Sequence, residues 1–147
     1  RYNGRRAIEC YEKAYELTGA YAPRWGIYAS AVYDAKGDLN KSRNILKELE
    51  VWDALSMSYY FSDEYDSALY YAKKQIASRP NRYSGYLNCA IVYRSMNKMD
   101  LAEQYYNKAL NVAKNASPSS VEWVVDRYKN FDKLKQNHIN YNKKFKF

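Results

Sequence analysis

The side chains able to do chemistry are few, and their spacing is poor for it. The one histidine, His138, lies in a basic stretch near the end of the chain, where a lone imidazole reads as solvated. Cys10 and Cys89, about eighty residues apart, have no metal-ligand spacing. Both fall at apolar or small places in helical patterns, which reads as two buried free thiols and not a disulfide. The carboxylate pair Asp63-Glu64 falls at an expected turn, where solvation or capping accounts for it. No glycine-rich phosphate loop and no nucleophile elbow is present. These residues do not assemble a pocket of converging titratable groups, so the sequence reads as non-enzymatic, with no cofactor, metal or small-molecule substrate.

What must position the side chains is therefore the more informative question. The 147 residues suit one domain, and 47% hydrophobic against 27% charged residues is a globular balance. Five Gly and three Pro allow few turns, which favours helices over a many-stranded sheet. Eighteen Tyr, against four Phe and three Trp, supply large rings with a wettable end that can fill gaps between helices. An AT-rich genome would enrich Tyr, Asn and Lys as well. The +8 charge is uneven: from Arg127 to Phe147 seven Lys or Arg face one Asp, a net of +6, leaving +2 for the rest. No run reaches the roughly eighteen apolar residues that span a bilayer, and no signal peptide is recognisable.

The clearest pattern runs from Tyr83 to Lys114. Tyr86, Cys89, Ala90 and Tyr93 follow the three-and-four spacing of one helical face. Asn97-Lys98 reads as a turn, with Asn able to take the left-handed conformation that ends a helix. Asp100 is the expected N-cap of a second helix, carrying Leu101, Ala102, Tyr105, Tyr106, Ala109 and Leu110. The result is a helical hairpin in which Ala90 and Ala102 allow close approach and the tyrosines fill the remaining space.

The order of Tyr86, Ala90, Tyr93, Ala102, Tyr106 and Ala109 resembles the tetratricopeptide repeat, whose period is about 34 residues. One period earlier, Trp52, Ser56, Tyr59, Tyr65, Ala68 and Pro80 follow the same order. Ala72 and Gln75 depart from it, with Tyr71 available to supply the missing ring. Trp25, Ala29, Gly37, Leu39, Ser42 and Leu46 mark another hairpin. Ala7, Tyr11 and Ala14 look like the second helix of a further repeat, which implies more sequence towards the N-terminus. The resemblance implies an all-α fold of antiparallel helix-hairpin repeats stacked in a right-handed solenoid. The expected parts are a lone second helix over 4–18, hairpins over about 22–49, 50–80 and 83–115, and a capping helix over 118–137. Together these make a repeat domain over 1–137, followed by a basic tail over 138–147.

The spacing between the second-helix markers Ala7, Ser42, Ala68 and Ala102 is uneven, at 35, 26 and 34 residues. Either a tight turn falls near Leu49-Val51, or one helix runs from about Leu39 to Phe61; the former is favoured. Near the end, Ser117-Pro118 is a helix start signal. Val121, Val124, Val125, Tyr128, Phe131 and Leu134 make the apolar stripe that a terminal cap needs. The stretch from Asn137 has no sustained period and reads as extended or frayed.

The resemblance also implies a function: a scaffold that holds a partner polypeptide in a concave groove lined by the first helix of each hairpin. Carried over position by position, the groove takes Ile27, Ser30, Tyr33 and Asp34, then Asp53, Met57, Tyr60 and Phe61, then Leu87, Asn88, Ile91 and Arg94. Apolar anchors with a few charges suit an extended peptide. The Lys and Asn that some members use to grip a chaperone's C-terminal carboxylate are not matched, since Gly26 and Ser30 stand at those places. A second reading makes the chain the appendage of a membrane-bound or envelope-assembly enzyme. Its tail of Lys143, Lys144 and Lys146 with Phe145 and Phe147 would then contact an anionic surface. Nucleic acid ranks below both. For localisation the cytoplasm is slightly favoured, with envelope association left open.

Overall fold

Four turns set the frame. The computed structural model describes residues 2–20 and 23–146, with the side chains of 5–20 and 23–144. Gly37, Glu50, Asp63 and Asn97 have φ of 94°, 55°, 60° and 61°. At each, the following amide reaches back to close the preceding helix: Asp38 N to Tyr33 O (2.9 Å), Val51 N to Leu46 O (2.9 Å), Glu64 N to Tyr59 O (3.0 Å) and Lys98 N to Tyr93 O (2.9 Å). This is the Schellman closure, in which one left-handed residue satisfies the last carbonyls and reverses the chain. The recurrence of one turn makes recurring hairpins.

Between these turns run α1 (Gly4–Thr18), α2 (Pro23–Lys36), α3 (Leu39–Glu48), α4 (Trp52–Phe61), α5 (Tyr65–Ser78), α6 (Ser84–Ser95), α7 (Met99–Ala116), α8 (Pro118–Lys129) and α9 (Leu134–Asn142). The fold is all-α, with helices adjacent in sequence packed on one another. Two-residue strands, β1 (Tyr2–Asn3) and β2 (Phe145–Lys146), pair in parallel. Glu50 decides the question over 39–61: there is a turn and not one long helix. It also explains the short spacing. Measured from α3 to α5, the step is eight residues shorter than from α5 to α7. Four of these come from the ten-residue α3 against the fourteen-residue α5, and two from α4 against α6. The last two come from the shorter link at Leu49–Val51.

The chain forms two compact units. The first runs to Val51 and resumes from Lys135; the second is Trp52–Leu134. The first unit packs Ile8 of α1, Ala29, Val32 and Tyr33 of α2, and Ile45 of α3. In the second, Ala68, Ala72, Leu87, Ile91, Val92, Ala102, Ala109 and Val124 are buried in one core. Ala90 and Ala102 are both completely buried on the packed pair α6 and α7, as close approach requires. Tyr71 does supply the missing ring, stacking on Trp52 (5.9 Å, 15°) and on Tyr59 (5.5 Å, 7°). Gln75 is buried and donates to Ser84 Oγ at 3.2 Å, which is why a polar side chain is tolerated there.

Several local expectations are corrected. Helix α7 begins at Met99, so Asp100 lies in its first turn and does not cap it; its charge still faces the helix's positive end. Cys89 is buried but Cys10 is exposed, because α1 turns Ala7, Ile8 and Tyr11 inward and Cys10 falls beside that stripe. Ser117 caps α8 as expected, accepting from Ser120 N at 3.1 Å with Pro118 at the first helical position. The expected helix over 118–137 is broken at Asn130, whose amide donates to the carbonyl (3.0 Å) and carboxylate (3.1 Å) of Asp126. The boundary drawn at 137 falls inside α9, and residues 138–142 are helical. Gln136 donates to Asn140 at 3.0 Å, and His138 and Asn142 bind Asp34 of α2, contacts that override weak propensity. Of the tail residues, Lys143 and Lys144 are exposed, the side chains of Phe145 and Lys146 are not described, and Phe147 lies outside the described residues. Among the described residues no helix is long and apolar enough to cross a membrane.

Candidate functional site

In the second unit, α4, α6 and α8 lie side by side and leave a cleft of about 180 Å³. Its lining comprises Asp53, Ala54 and Met57 from α4, Ser84, Leu87 and Asn88 from α6, and Trp123 and Arg127 from α8. Four of the twelve residues assigned to a groove from sequence, Asp53, Met57, Leu87 and Asn88, are thus brought to one place. The spacing responsible is helical: 53 and 57 are one turn apart on α4, and 84, 87 and 88 share one face of α6. Asn88 Nδ2 donates to Asp53 O at 3.1 Å and ties the two helices together. Asp53 Oδ1 accepts from Ala54 N at 2.9 Å in the first turn of α4, where the helix dipole favours a carboxylate.

The other eight are placed differently. Tyr60 and Ile91 are 3% and 0% exposed, members of the core and not of an open surface. Tyr60 exchanges a hydrogen bond with Ser95 Oγ at 3.1 Å. Phe61 is half-buried with its ring edge to Tyr60, at 5.8 Å. Arg94 donates from Nη1 to Tyr128 O at 3.2 Å, its guanidinium 4.9 Å from the Tyr128 ring and 4.5 Å from that of Phe131. It clamps the end of α8. Tyr33 and Asp34 belong to the first unit. Tyr33 is buried, its hydroxyl donating to Glu12 Oε1, and Asp34 is half-buried against His138, 2.9 Å away. Of the other carried-over positions, Ser30 is buried and Ile27 is exposed. The lone histidine is therefore partnered, contrary to the solvated reading.

Sequence reasoning missed Trp123 and Arg127. In sequence the segment reads as a cap, its inward stripe running through Val124. The signal was there: 123 and 127 are one helical turn apart, beside that stripe. Trp123 is 48% exposed, with Tyr83 at 5.7 Å and the Arg127 guanidinium at 5.2 Å from its ring. Burial pulls the Arg127 pKa below the usual guanidinium range, with Tyr60 acting in the opposite sense. A wider hollow of about 610 Å³ in the first unit, lined by residues of α1 and α3, carries Glu12, Glu16, Asp38 and Glu48. Two of these are ion-paired, Glu12 with Lys41 at 3.2 Å and Glu16 with Lys13 at 4.0 Å.

Among the described residues no group of three His, Cys, Asp or Glu could hold a metal ion. No curated protein matches the chain. A family model, that of the tetratricopeptide repeat, matches residues 83–115. That span holds α6 and α7 with the Schellman turn at Asn97 between them and the buried Ala90 and Ala102 at their contact. Residues 83–115 are a tetratricopeptide repeat, built into an all-helical chain of packed hairpins.

Proposed function

We propose that this chain is a non-enzymatic scaffold that holds a partner polypeptide against α4, α6 and α8 of the second unit. A tetratricopeptide repeat points to protein–protein interaction as the general role. The observation carrying the more specific reading is the meeting of Met57, Leu87 and Asn88 with Trp123 and Arg127 in one cleft. Trp and Arg lining a concave patch are among the residue types that dominate binding energy at interfaces. About 180 Å³ is below the range of small-molecule pockets and fits an anchoring side chain of a longer chain. Unbranched Met57 can adapt to the shape of that side chain.

The test is selection of random displayed peptides on the full chain. Selected peptides should lose binding to Trp123→Ala and keep it to Leu101→Ala, which alters an exposed residue outside the cleft. Peptides that bind both variants equally would remove this face from the account.

A further inference from the structure

The cleft between α4, α6 and α8 has a charge pattern that says more about its guest. Arg127 projects from α8 at the cleft wall, half-buried, with its guanidinium beside the Trp123 ring at 5.2 Å. Among the described residues no carboxylate lies within ion-pair distance of it, and no hydrogen-bond acceptor is paired with it. A cation held partly out of water by an aromatic ring loses hydration without gaining an opposite charge. Such a group is a ready receptor for an anion, and a guanidinium fork matches a carboxylate with two parallel hydrogen bonds. The cleft floor next to it is apolar, through Met57 and Leu87.

The acid lining the same cleft, Asp53, is engaged elsewhere. Its Oδ1 accepts from Ala54 N at 2.9 Å in the first turn of α4. It enters the cleft from α4, while Arg127 enters from α8. The two walls therefore differ in sign, which sets a direction for whatever lies between them.

We infer that the cleft takes an acidic peptide segment, Arg127 receiving a partner carboxylate while Trp123 and the accessible edge of Met57 pack the apolar side chain next to it. This rests on the peptide-scaffold reading above and adds the chemistry of the guest. Arg127 is then a specificity-determining residue, and Asp53 disfavours a second carboxylate at the other wall.

The experiment uses two labelled octapeptides, alternating Asp-Leu and alternating Lys-Leu, with the full chain at moderate salt, read by fluorescence anisotropy. The Asp-Leu peptide should bind, and Arg127→Gln should weaken it about tenfold or more, as expected for loss of a charge-assisted pair. Arg127→Lys should restore part of the loss, since the charge returns without the fork. Asp53→Asn should tighten the same peptide by removing a like charge. Helix content of each variant, by circular dichroism, shows that the fold is retained. Equal binding of the Asp-Leu peptide to Arg127→Gln would overturn the inference, because the basic surface in general would then be responsible. Binding of the Lys-Leu peptide alone, lost in Trp123→Ala, would overturn it while leaving the scaffold reading intact. Failure of both peptides at millimolar concentration would overturn both.

Discussion

His138 Nε2 lies 2.9 Å from Asp34 Oδ2, joining α9 to α2 across more than a hundred residues of sequence. Asn142 completes the group, with Nδ2 3.4 Å from the same oxygen and 3.3 Å from His138 Nε2. Helix α9 is short and rich in Asn, and would be marginal in isolation. Its order within the first unit therefore depends on this contact. His138→Ala should cost about 1 kcal/mol and raise amide exchange over 135–142 well before the core of that unit responds. Unchanged exchange there would show that α9 is held by something else.

Gly85 marks a close approach between α5 and α6. A Cβ built on it would fall 2.8 Å from Ile76 Cγ1 and 3.0 Å from both Ala72 O and Ile76 N. Two of those three atoms are backbone and have little room to retreat. Ala is the better helix former by about 1 kcal/mol, but overpacking of this kind costs about 1–3 kcal/mol. Gly85→Ala should therefore destabilise the second unit in a denaturant titration, and Gly85→Val more so. A rise in midpoint for Gly85→Ala would mean the helices separate at little cost.

The two cysteines should respond oppositely to a thiol reagent. Burial pushes the Cys89 thiol from 9.0 up to about 12, with Lys73 and Lys108 acting weakly the other way. Cys10 is exposed. At pH 8 one thiol should react rapidly and the second only on unfolding. The sign of the linkage follows: between about pH 9 and 12 the unfolded chain has released this proton and the folded one has not. Stability falls with rising pH across that window, by on the order of 4 kcal/mol. Cys89→Ala should flatten this alkaline limb, and two fast thiols in the native protein would contradict the burial.

Glu12 is the acid counterpart. The Tyr33 hydroxyl, and secondarily Lys41, hold its carboxyl below the ordinary carboxylate range, against an opposing effect of burial. A depressed folded-state value means the contribution is present above that range and is lost as pH falls through it. Glu12 and Lys41 are each more than two-fifths exposed, so solvent screening leaves roughly 0.5 kcal/mol. Glu12→Gln should remove this acid dependence from the first unit's unfolding while changing neutral-pH stability only slightly. An identical acid profile for the variant would place the titration elsewhere.

The relation between sequence and structure is clearest at particular residues. Tyr86, Ala90, Tyr93 and Ala102 announced the repeat because a helix hairpin needs small and large residues at fixed steps. Asn97 and Ser117 announced their turn and cap because each conformation has a local chemical requirement. These signals act over a few residues, so order in sequence was enough to read them. The turn at Glu50 was harder: the apolar face continued through it, and neither Gly nor Pro marked the break.

The proposed binding face was legible only in part, and the reason is geometric. Spacing assigned Asp53, Met57, Leu87, Asn88, Tyr60 and Ile91 alike to the groove side of their helices, yet only the first four line the cleft and most of the six are buried. Their burial depends on which neighbouring helix closes over them, a matter of packing and not of period. Trp123 and Arg127 became part of the cleft only when α8 was laid beside α6. The pairing of Asp34 with His138 likewise has no trace in local pattern, since it joins segments distant along the chain. The chain's own order of small, aromatic and turn residues determined which helices form and how successive ones pair. Tertiary packing decided which side chains face solvent, because exposure belongs to neighbours that the linear spacing does not specify.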